Sequence, residues 1–234
     1  NFTSPSSVRK KQENLYLVNW NSKKTANIYT ADWRGNAGWL YRALDALLER
    51  YAIRDAVTIV DYPNWVAGAK YLRKTYGFRI VTDYMDDYTG FAATAEPFLK
   101  ENCEELLRTS DMVAASSSFL YDIAKKFTEE SRICLIRNGT QTAHFQKALT
   151  MQRAENAKAQ PGFEKNAAGK VIGYYGAVAH WFAYEKVCYV ADALPECEVV
   201  IIGEVTAHRD DLEKRKNIRL LGEMDYDRLP EHLA

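Results

Sequence analysis

The chain has 234 residues, 47% of them hydrophobic and 26% charged, a composition typical of a globular protein with one large domain or two small ones. Its 31 basic residues balance 31 acidic ones, so no net field attracts nucleic acid or an anionic membrane. No stretch reaches the roughly 20 apolar residues of a membrane span, and the first residues lack the pattern of a signal peptide.

Residues 1–13 are polar and show no periodicity, which predicts a frayed end. Apolar runs at 14–20 and 26–32 are candidate strands, and apolar positions from Trp39 to Tyr51 recur at helical spacing. Further predicted strands, separated by helical patterns, lie at 56–61, 78–83, 112–116 and 133–136. Strands that are apolar throughout and alternate with helices indicate a parallel sheet covered on both faces.

The alternation stops in the polar, Ala-rich segment 146–169 and restarts afterwards, with strands at 170–176, 197–203 and 217–222. We interpret 14–145 as a first Rossmann-like domain, 146–169 as a connector and 170–234 as the first part of a second domain. A three-stranded parallel sheet cannot bury both its faces, so we expect the natural second domain to continue past Ala234. The first domain, which has no Gly-rich strand–turn–helix at its start, is expected to lack its first strands.

The four cysteines, which are Cys103, Cys134, Cys188 and Cys197, are widely spaced, with no CxxC pair and no histidine at metal-ligand spacing. This spacing favours reduced, mostly buried thiols in a cytosolic protein and predicts no metal site.

In open α/β sheets ligands bind beyond the carboxyl ends of the strands. Asp83, Asp86 and Asp87 follow one such end, where carboxylates can position hydroxyls, hold a metal or act as bases. The alternative is that each aspartate caps a helix or braces its loop. Asn138 and Gly139 form a turn after the last strand of the first domain, shortly before the connector.

Glycines also follow the first two strands of the second domain, and in a parallel sheet these two turns are expected to be neighbours. Glycine lets the backbone approach a ligand closely, and free N–H groups at a helix start attract phosphate. The alternative is a pair of ordinary tight loops with a histidine at the surface. The residues concerned are Gly176, Ala177, Val178, His180, Gly203 and Glu204.

As an ordered set, several segments resemble the GT-B glycosyltransferases of family 4, and within it the bacterial polysaccharide and cell-wall branch. "SDMVAASSSFLYDIAKKF" followed by "ICLIRNGTQTAHF" resembles the family's strand ending in Ser, helix and "IPNGVDxxxF" motif. "VIGYYGAVAHWFAYEKV" and "EVVIIG" resemble the opening of the nucleotide-binding domain, and "AVTIVDYPNWVAGAKYLRKTYGFRIVTDYMDDYTGF" resembles the segment with an Asp-Asp loop. The likeness spans residues 56–234.

The resemblance implies an α/β, GT-B-like fold of two Rossmann-like domains, the second incomplete, whose strand ends face a shared cleft. It implies transfer of a sugar, with retention, from a nucleotide-diphosphate sugar to a glycan or lipid-linked acceptor, without a metal or other cofactor. Asp86 and Asp87 would face the reacting sugar, Gly176 to Val178 the diphosphate, and Gly203 and Glu204 the nucleoside. Asn138 and Gly139 would lie by the hinge. The implied location is the cytoplasm, with peripheral contact at the inner membrane face for a lipid-linked acceptor.

The sequence also departs from the family pattern. Arg137 stands in place of the usual Pro before Asn-Gly, and Ala177 and Phe182 stand in place of two cations. The family's acidic donor-binding motif would lie beyond Ala234, so we expect the chain to be inactive by itself. A non-catalytic glycosyltransferase-like module therefore stays an alternative. So does another Rossmann-like nucleotide-binding protein such as a nicotinamide dehydrogenase, although the absence of GxGxxG argues against it.

Overall fold

The computed structural model describes residues 7–19, 37–90, 97–155 and 170–232. The chain divides into two compact units, Asn1–Asn138 and Gly139–Ala234. The candidate strand at 26–32 and most of the predicted connector lie outside the described residues. No helix within the described ranges is long and apolar enough to cross a bilayer.

The first unit begins with a hairpin of two antiparallel strands, β1 (Ser7–Gln12) and β2 (Leu15–Asn19). The candidate strand at 14–20 corresponds to β2, but β1 lies in the segment for which we predicted a frayed end. Only Val8 is apolar among the six residues of β1, so the strand carries no alternation that a sequence pattern could detect. Its extended conformation is set by pairing with β2 instead.

A four-stranded parallel sheet with strand order β3-β4-β5-β6 forms the main part of the first unit. Its strands are β3 (Val57–Val60), β4 (Arg79–Tyr84), β5 (Met112–Ala115) and β6 (Ile133–Leu135). The helices are α1 (Gly38–Arg50), α2 (Val66–Tyr76), α3 (Pro97–Thr109) and α4 (Ser118–Ala124). The four predicted strands and their parallel arrangement are confirmed.

Local sequence fixes several helix boundaries in this unit. Gly77 adopts φ +74° and its N–H donates to the Arg73 carbonyl, which ends α2 in the left-handed conformation that glycine favours. The side chain of Ser117 accepts a hydrogen bond from the Leu120 N–H at 3.2 Å and so caps the start of α4.

The helices within the described residues cover one face of this sheet, whereas we expected both faces to be covered. Ile80 and Val113 on the helical face are fully buried, but on the opposite face Ile59 is 70% exposed and Met112 is 43% exposed. The strand order explains the difference. Right-handed crossovers between strands that follow one another across the sheet place every connecting helix on the same side.

The second unit contains a three-stranded parallel sheet with strand order β7-β8-β9. The strands are β7 (Val171–Tyr175), β8 (Glu198–Ile202) and β9 (Ile218–Gly222). The helices are α5 (Thr142–Glu155), α6 (Tyr184–Ala193), α7 (Arg209–Glu213) and α8 (Leu229–His232). Helix α5 extends into the segment 146–169, which we predicted to be a connector.

The core of the second unit is built on β8, its central strand. Val199 and Ile201 pack with Cys188 of α6 and Leu212 of α7 in one buried cluster. On α5, the His144 ring stacks on Tyr226 at a centroid distance of 4.5 Å, and its Nε2 lies 2.9 Å from the Tyr226 carbonyl oxygen. Because β7, β8 and β9 pair in parallel, their carboxyl ends lie at a common edge of the sheet.

Candidate functional site

Two glycine turns lie against each other at the carboxyl ends of β7 and β8. Gly176 has φ +151° and Gly203 has φ +144°, values that other residues rarely adopt. A β-carbon added to Gly203 would lie 2.1 Å from the Gly176 carbonyl oxygen. The predicted adjacency of these two turns is therefore observed, and only glycine fits at position 203.

Backbone hydrogen bonds fix the loops that contain these glycines. The Gly176 N–H donates to the Ile202 carbonyl at 2.9 Å, and the Val178 N–H donates to the Glu204 carbonyl at 2.8 Å. The Gly203 N–H donates in turn to the carbonyl of Gly222 at 2.8 Å. Gly222 is a third glycine turn, with φ +74°, and our sequence analysis did not select it although it also ends a predicted strand.

The bonding of these loops determines which groups a ligand can reach. The Val178 side chain is fully buried in the core, and its N–H is already bonded. Ala177, His180 and Glu204 are exposed. Of the residues predicted to bind the donor, these three are the ones with side chains open to solvent, and Gly176 and Gly203 contribute backbone only.

His180 and its neighbour Trp181 form an exposed aromatic pair on the loop between β7 and α6. The two rings meet edge to face at a centroid distance of 4.7 Å, and Trp181 is 60% exposed. The Phe182 N–H donates to the Ala179 carbonyl at 2.9 Å, which closes this loop into a turn. An aromatic face held in this way can stack on a sugar ring or a nucleobase.

His208 was not predicted from the sequence as a site residue, but its backbone conformation is unusual. It adopts φ +60°, which is uncommon for a residue other than glycine, immediately before α7. Its ring stacks on Tyr184, the first residue of α6, at 4.0 Å. The stack joins the loop after β8 to the start of α6. No sequence signal predicts a positive φ for a residue other than glycine at this position.

In the first unit, the two predicted catalytic aspartates have different environments. The Asp87 carboxylate accepts hydrogen bonds from the Thr89 hydroxyl at 2.8 Å and from the Thr89 N–H at 3.3 Å. Asp87 therefore braces its own loop, as the alternative interpretation expected. Asp86 is exposed to solvent.

Tyr88 lies among acidic residues from two strand ends. Its hydroxyl donates to the backbone carbonyl of Asp61, the first residue after β3. Burial, together with the negative charges of Asp86, Asp61 and Asp83, raises the pKa of Tyr88 above its ordinary value. The hydroxyl thus stays protonated and able to donate. Asp86 was predicted as a site residue because ligands bind at strand ends. Asp61 also follows a strand end, but we did not predict it as a site residue.

Burial raises the pKa of the Cys103 thiol to about 11, so this group stays protonated at neutral pH. Cys188 and Cys197 are buried as well, whereas Cys134 is exposed. Among the described residues, no group of three or more His, Cys, Asp or Glu has a geometry suited to a metal ion.

The boundary between the two units falls between Asn138 and Gly139. The Arg137 guanidinium, at the position where the resembling family has Pro, donates to the Ser118 hydroxyl at 3.1 Å. A β-carbon at Gly139 would meet no atom within 4 Å. The proposed role of this pair as a hinge stays a prediction.

No protein-family model and no curated protein matches this sequence. Among solved structures, the sucrose-phosphate synthase of Thermosynechococcus elongatus is similar with a TM-score of 0.66 and 15% identity, over 98% of this chain and 61% of that one. HepE of Anabaena, in complex with UDP and glucose, is similar with a TM-score of 0.58 and 12% identity, over 85% of this chain and 55% of HepE. The chain has a GT-B-like fold.

This GT-B-like chain spans 55% of the length of HepE and 61% of the length of the synthase. HepE in complex with UDP-glucose is similar to it with a TM-score of 0.50 and 15% identity. At these identities the likeness shows the fold, whose strand ends carry the glycine turns described above.

Proposed function

We propose that this protein binds a nucleotide-diphosphate sugar at the carboxyl ends of β7 and β8 and transfers the sugar, with retention, to a glycan or lipid-linked acceptor. The observation that carries the proposal is the contact between Gly176 and Gly203. Because no side chain fits between these turns, they form a floor of backbone atoms. Such a floor allows a diphosphate to approach closely.

Two further observations support a nucleotide sugar as the donor. HepE, a protein of the same fold, was solved with UDP and glucose and with UDP-glucose. In this chain, Glu204 is exposed beside the floor, where a carboxylate can accept hydrogen bonds from ribose hydroxyls. Ala177 is exposed at the floor itself and is our proposed neighbour of the diphosphate.

The start of α6 is a poor site for the diphosphate, because Glu185 lies in the first turn of that helix. A carboxylate there already interacts with the helix dipole and repels a second anion. We therefore assign the diphosphate to the loop at positions 176–178 rather than to the helix start. Protein groups alone would stabilise the leaving charge, without a metal ion.

On the acceptor side we propose that Asp86 contacts the transferred sugar or the attacking hydroxyl, since its carboxylate is exposed. Asp61, Asp83 and the Tyr88 hydroxyl would hold further acceptor hydroxyls, whereas Asp87 would orient the loop. A lipid-linked acceptor would place the protein at the inner face of the membrane. A bacterial polysaccharide is the acceptor class that the sequence resemblance favours.

The decisive test adds a charge at the proposed diphosphate position. Ala177→Asp introduces a carboxylate, and Ala177→Asn introduces a side chain of nearly the same shape without charge. We expect Ala177→Asp to weaken UDP binding about tenfold or more and Ala177→Asn to weaken it by about threefold at most, because a charge contact contributes on the order of 1.4 kcal/mol or more. Isothermal titration of the chain with UDP measures both.

A second pair of variants tests the nucleoside contact. Glu204, which follows β8, is replaced by Gln. The control is Glu196→Gln, because Glu196 precedes the same strand at the opposite edge of the sheet. We expect only Glu204→Gln to weaken UDP binding. UDP binding that neither Ala177→Asp nor Glu204→Gln alters would refute the proposed site. UDP binding without sugar transfer by the full-length protein would favour a non-catalytic module instead.

A further inference from the structure

A cavity of about 650 Å³ opens between α1, α2 and α3 in the first unit. Its volume lies within the range of roughly 300–1,000 Å³ that is usual for pockets that hold small organic ligands. None of its lining residues belongs to the candidate site at the strand ends. The cavity therefore needs an explanation of its own.

Two stacked tyrosine rings form a wall of this cavity, in which each ring covers one face of the other. The rings of Tyr41 and Tyr71 stack in parallel, with a centroid distance of 4.3 Å and an interplanar angle of 10°. The Tyr71 hydroxyl donates to both carboxylate oxygens of Asp45, at 2.7 and 2.8 Å. A wall held in this way can stack on a flat ligand without a large loss of side-chain entropy.

The charged residues at the cavity are mostly cations. Lys70, Arg73 and Lys74 line it together with a single acid, Glu105, and the pairing of Arg73 with Asp111, which is not a lining residue, leaves one positive charge in excess. Lys70 pairs with Glu105, and Arg73 pairs with Asp111, so both cations are held in place. Lys74 is exposed and forms no ion pair with any described residue.

We propose that this cavity binds a phosphate monoester that carries a flat ring. The ligand ring extends the tyrosine stack by lying on the outer face of one of the two rings, and the phosphate meets Lys74 and Arg73. A phosphate monoester carries a charge of about −1.5 to −2 at neutral pH, so it is attracted to the excess positive charge of Lys74 and can accept hydrogen bonds from the neighbouring Arg73. An aromatic phosphate and a nucleoside monophosphate share this chemistry.

The test titrates the chain with phenyl phosphate by isothermal calorimetry. We expect Lys74→Gln to weaken binding about tenfold, because it removes one charge-assisted contact to the phosphate. Lys126→Gln is the matched control, since Lys126 is an exposed lysine of the same unit that follows α4. Inorganic phosphate, which lacks the ring, should bind about tenfold more weakly than phenyl phosphate if the aromatic wall contributes.

Two further measurements separate this cavity from the nucleotide site. Ala67→Leu adds three carbon atoms to the cavity lining without changing any charge and should weaken phenyl phosphate binding, whereas Ala177→Asp should leave it unchanged. Uridine 5′-monophosphate, titrated into the Ala177→Asp variant, shows whether a nucleotide can occupy the cavity in place of an aromatic phosphate. Absence of phenyl phosphate binding at millimolar concentration, or equal effects of Lys74→Gln and Lys126→Gln, would overturn the proposal.

Discussion

Gly173 lies within β7 and Gly203 directly follows the neighbouring strand β8, but a β-carbon would have different consequences at the two positions. At Gly203 it would lie 2.1 Å from the Gly176 carbonyl oxygen, on a backbone with φ +144°, whereas at Gly173 it would meet nothing within 4 Å. We expect Gly203→Ala to lower the free energy of unfolding by about 3 kcal/mol or more. Gly173→Ala should change it by less than about 1 kcal/mol.

Urea denaturation of the two variants, followed by circular dichroism, measures this difference. Equal stabilities would mean that the loops at positions 176 and 203 can separate at little cost. In that case the backbone floor proposed for the diphosphate would not be a fixed feature of the molecule.

At the residue scale, sequence reasoning succeeded where one chemical property determines the position. Gly176 and Gly203 could be selected because each ends an apolar strand, and parallel pairing of β7 with β8 makes them neighbours. His208 could not be selected, because its left-handed backbone is set by tertiary contacts such as its stack on Tyr184. The loop-bracing role of Asp87 likewise depends on Thr89, and was predicted only as an alternative.

The contact between α1 and α2 depends on one carboxylate and makes a pH-dependent contribution to stability. Asp45 of α1 accepts hydrogen bonds from the hydroxyls of Tyr71 and Tyr76 of α2. The hydrogen bond to Asp45, with burial and the carboxylate charge, raises the pKa of Tyr76 from 10 to about 12. The folded state thus favours the protonated phenol. The stabilisation of the folded state by the hydrogen bond from Tyr76 to Asp45 is complete below pH 10 and is lost as the pH rises through about 12.

We expect Asp45→Asn, which keeps a hydrogen-bond acceptor but removes the charge, to move the pKa of Tyr76 back towards 10. It should also reduce the loss of stability above pH 10. Carbon-13 NMR of ring-labelled tyrosine, recorded against pH, follows the titration directly. Asp55→Asn is the control, because Asp55 follows α1 at an exposed position. A Tyr76 titration that both variants leave unaltered would contradict the assigned cause.

At the element scale, the strands of both parallel sheets could be predicted because each contains a short run of apolar residues between helical or turn patterns. Strand β1 and the five-residue helix α7 could not, since neither carries an apolar period long enough to recognise. The exposed face of the first sheet was also missed. Which faces of a sheet the helices cover depends on the spatial order of its strands. The composition of the strands alone does not distinguish a consecutive order from an interleaved one.

At the scale of the whole molecule, each unit has its own core, and this separation should be visible in local stability. Leu107 packs with Val113 and Tyr84 in the first unit, and Ile201 packs with Leu212 in the second. Both Leu107 and Ile201 are at most 1% exposed. Truncation of either side chain to alanine is expected to cost about 2–5 kcal/mol, because it removes buried contacts and leaves a cavity.

We expect Leu107→Ala to lower amide protection in β4 and β5 and to leave β8 unchanged, and Ile201→Ala to do the reverse. Hydrogen exchange with mass spectrometry, carried out on the whole chain, resolves the peptides concerned. Equal loss of protection in both sheets after Leu107→Ala would show that the two units unfold as one cooperative structure. Independent responses would instead allow variants in the two units to be interpreted separately, because a loss of stability in one unit would not impair the strand ends of the other.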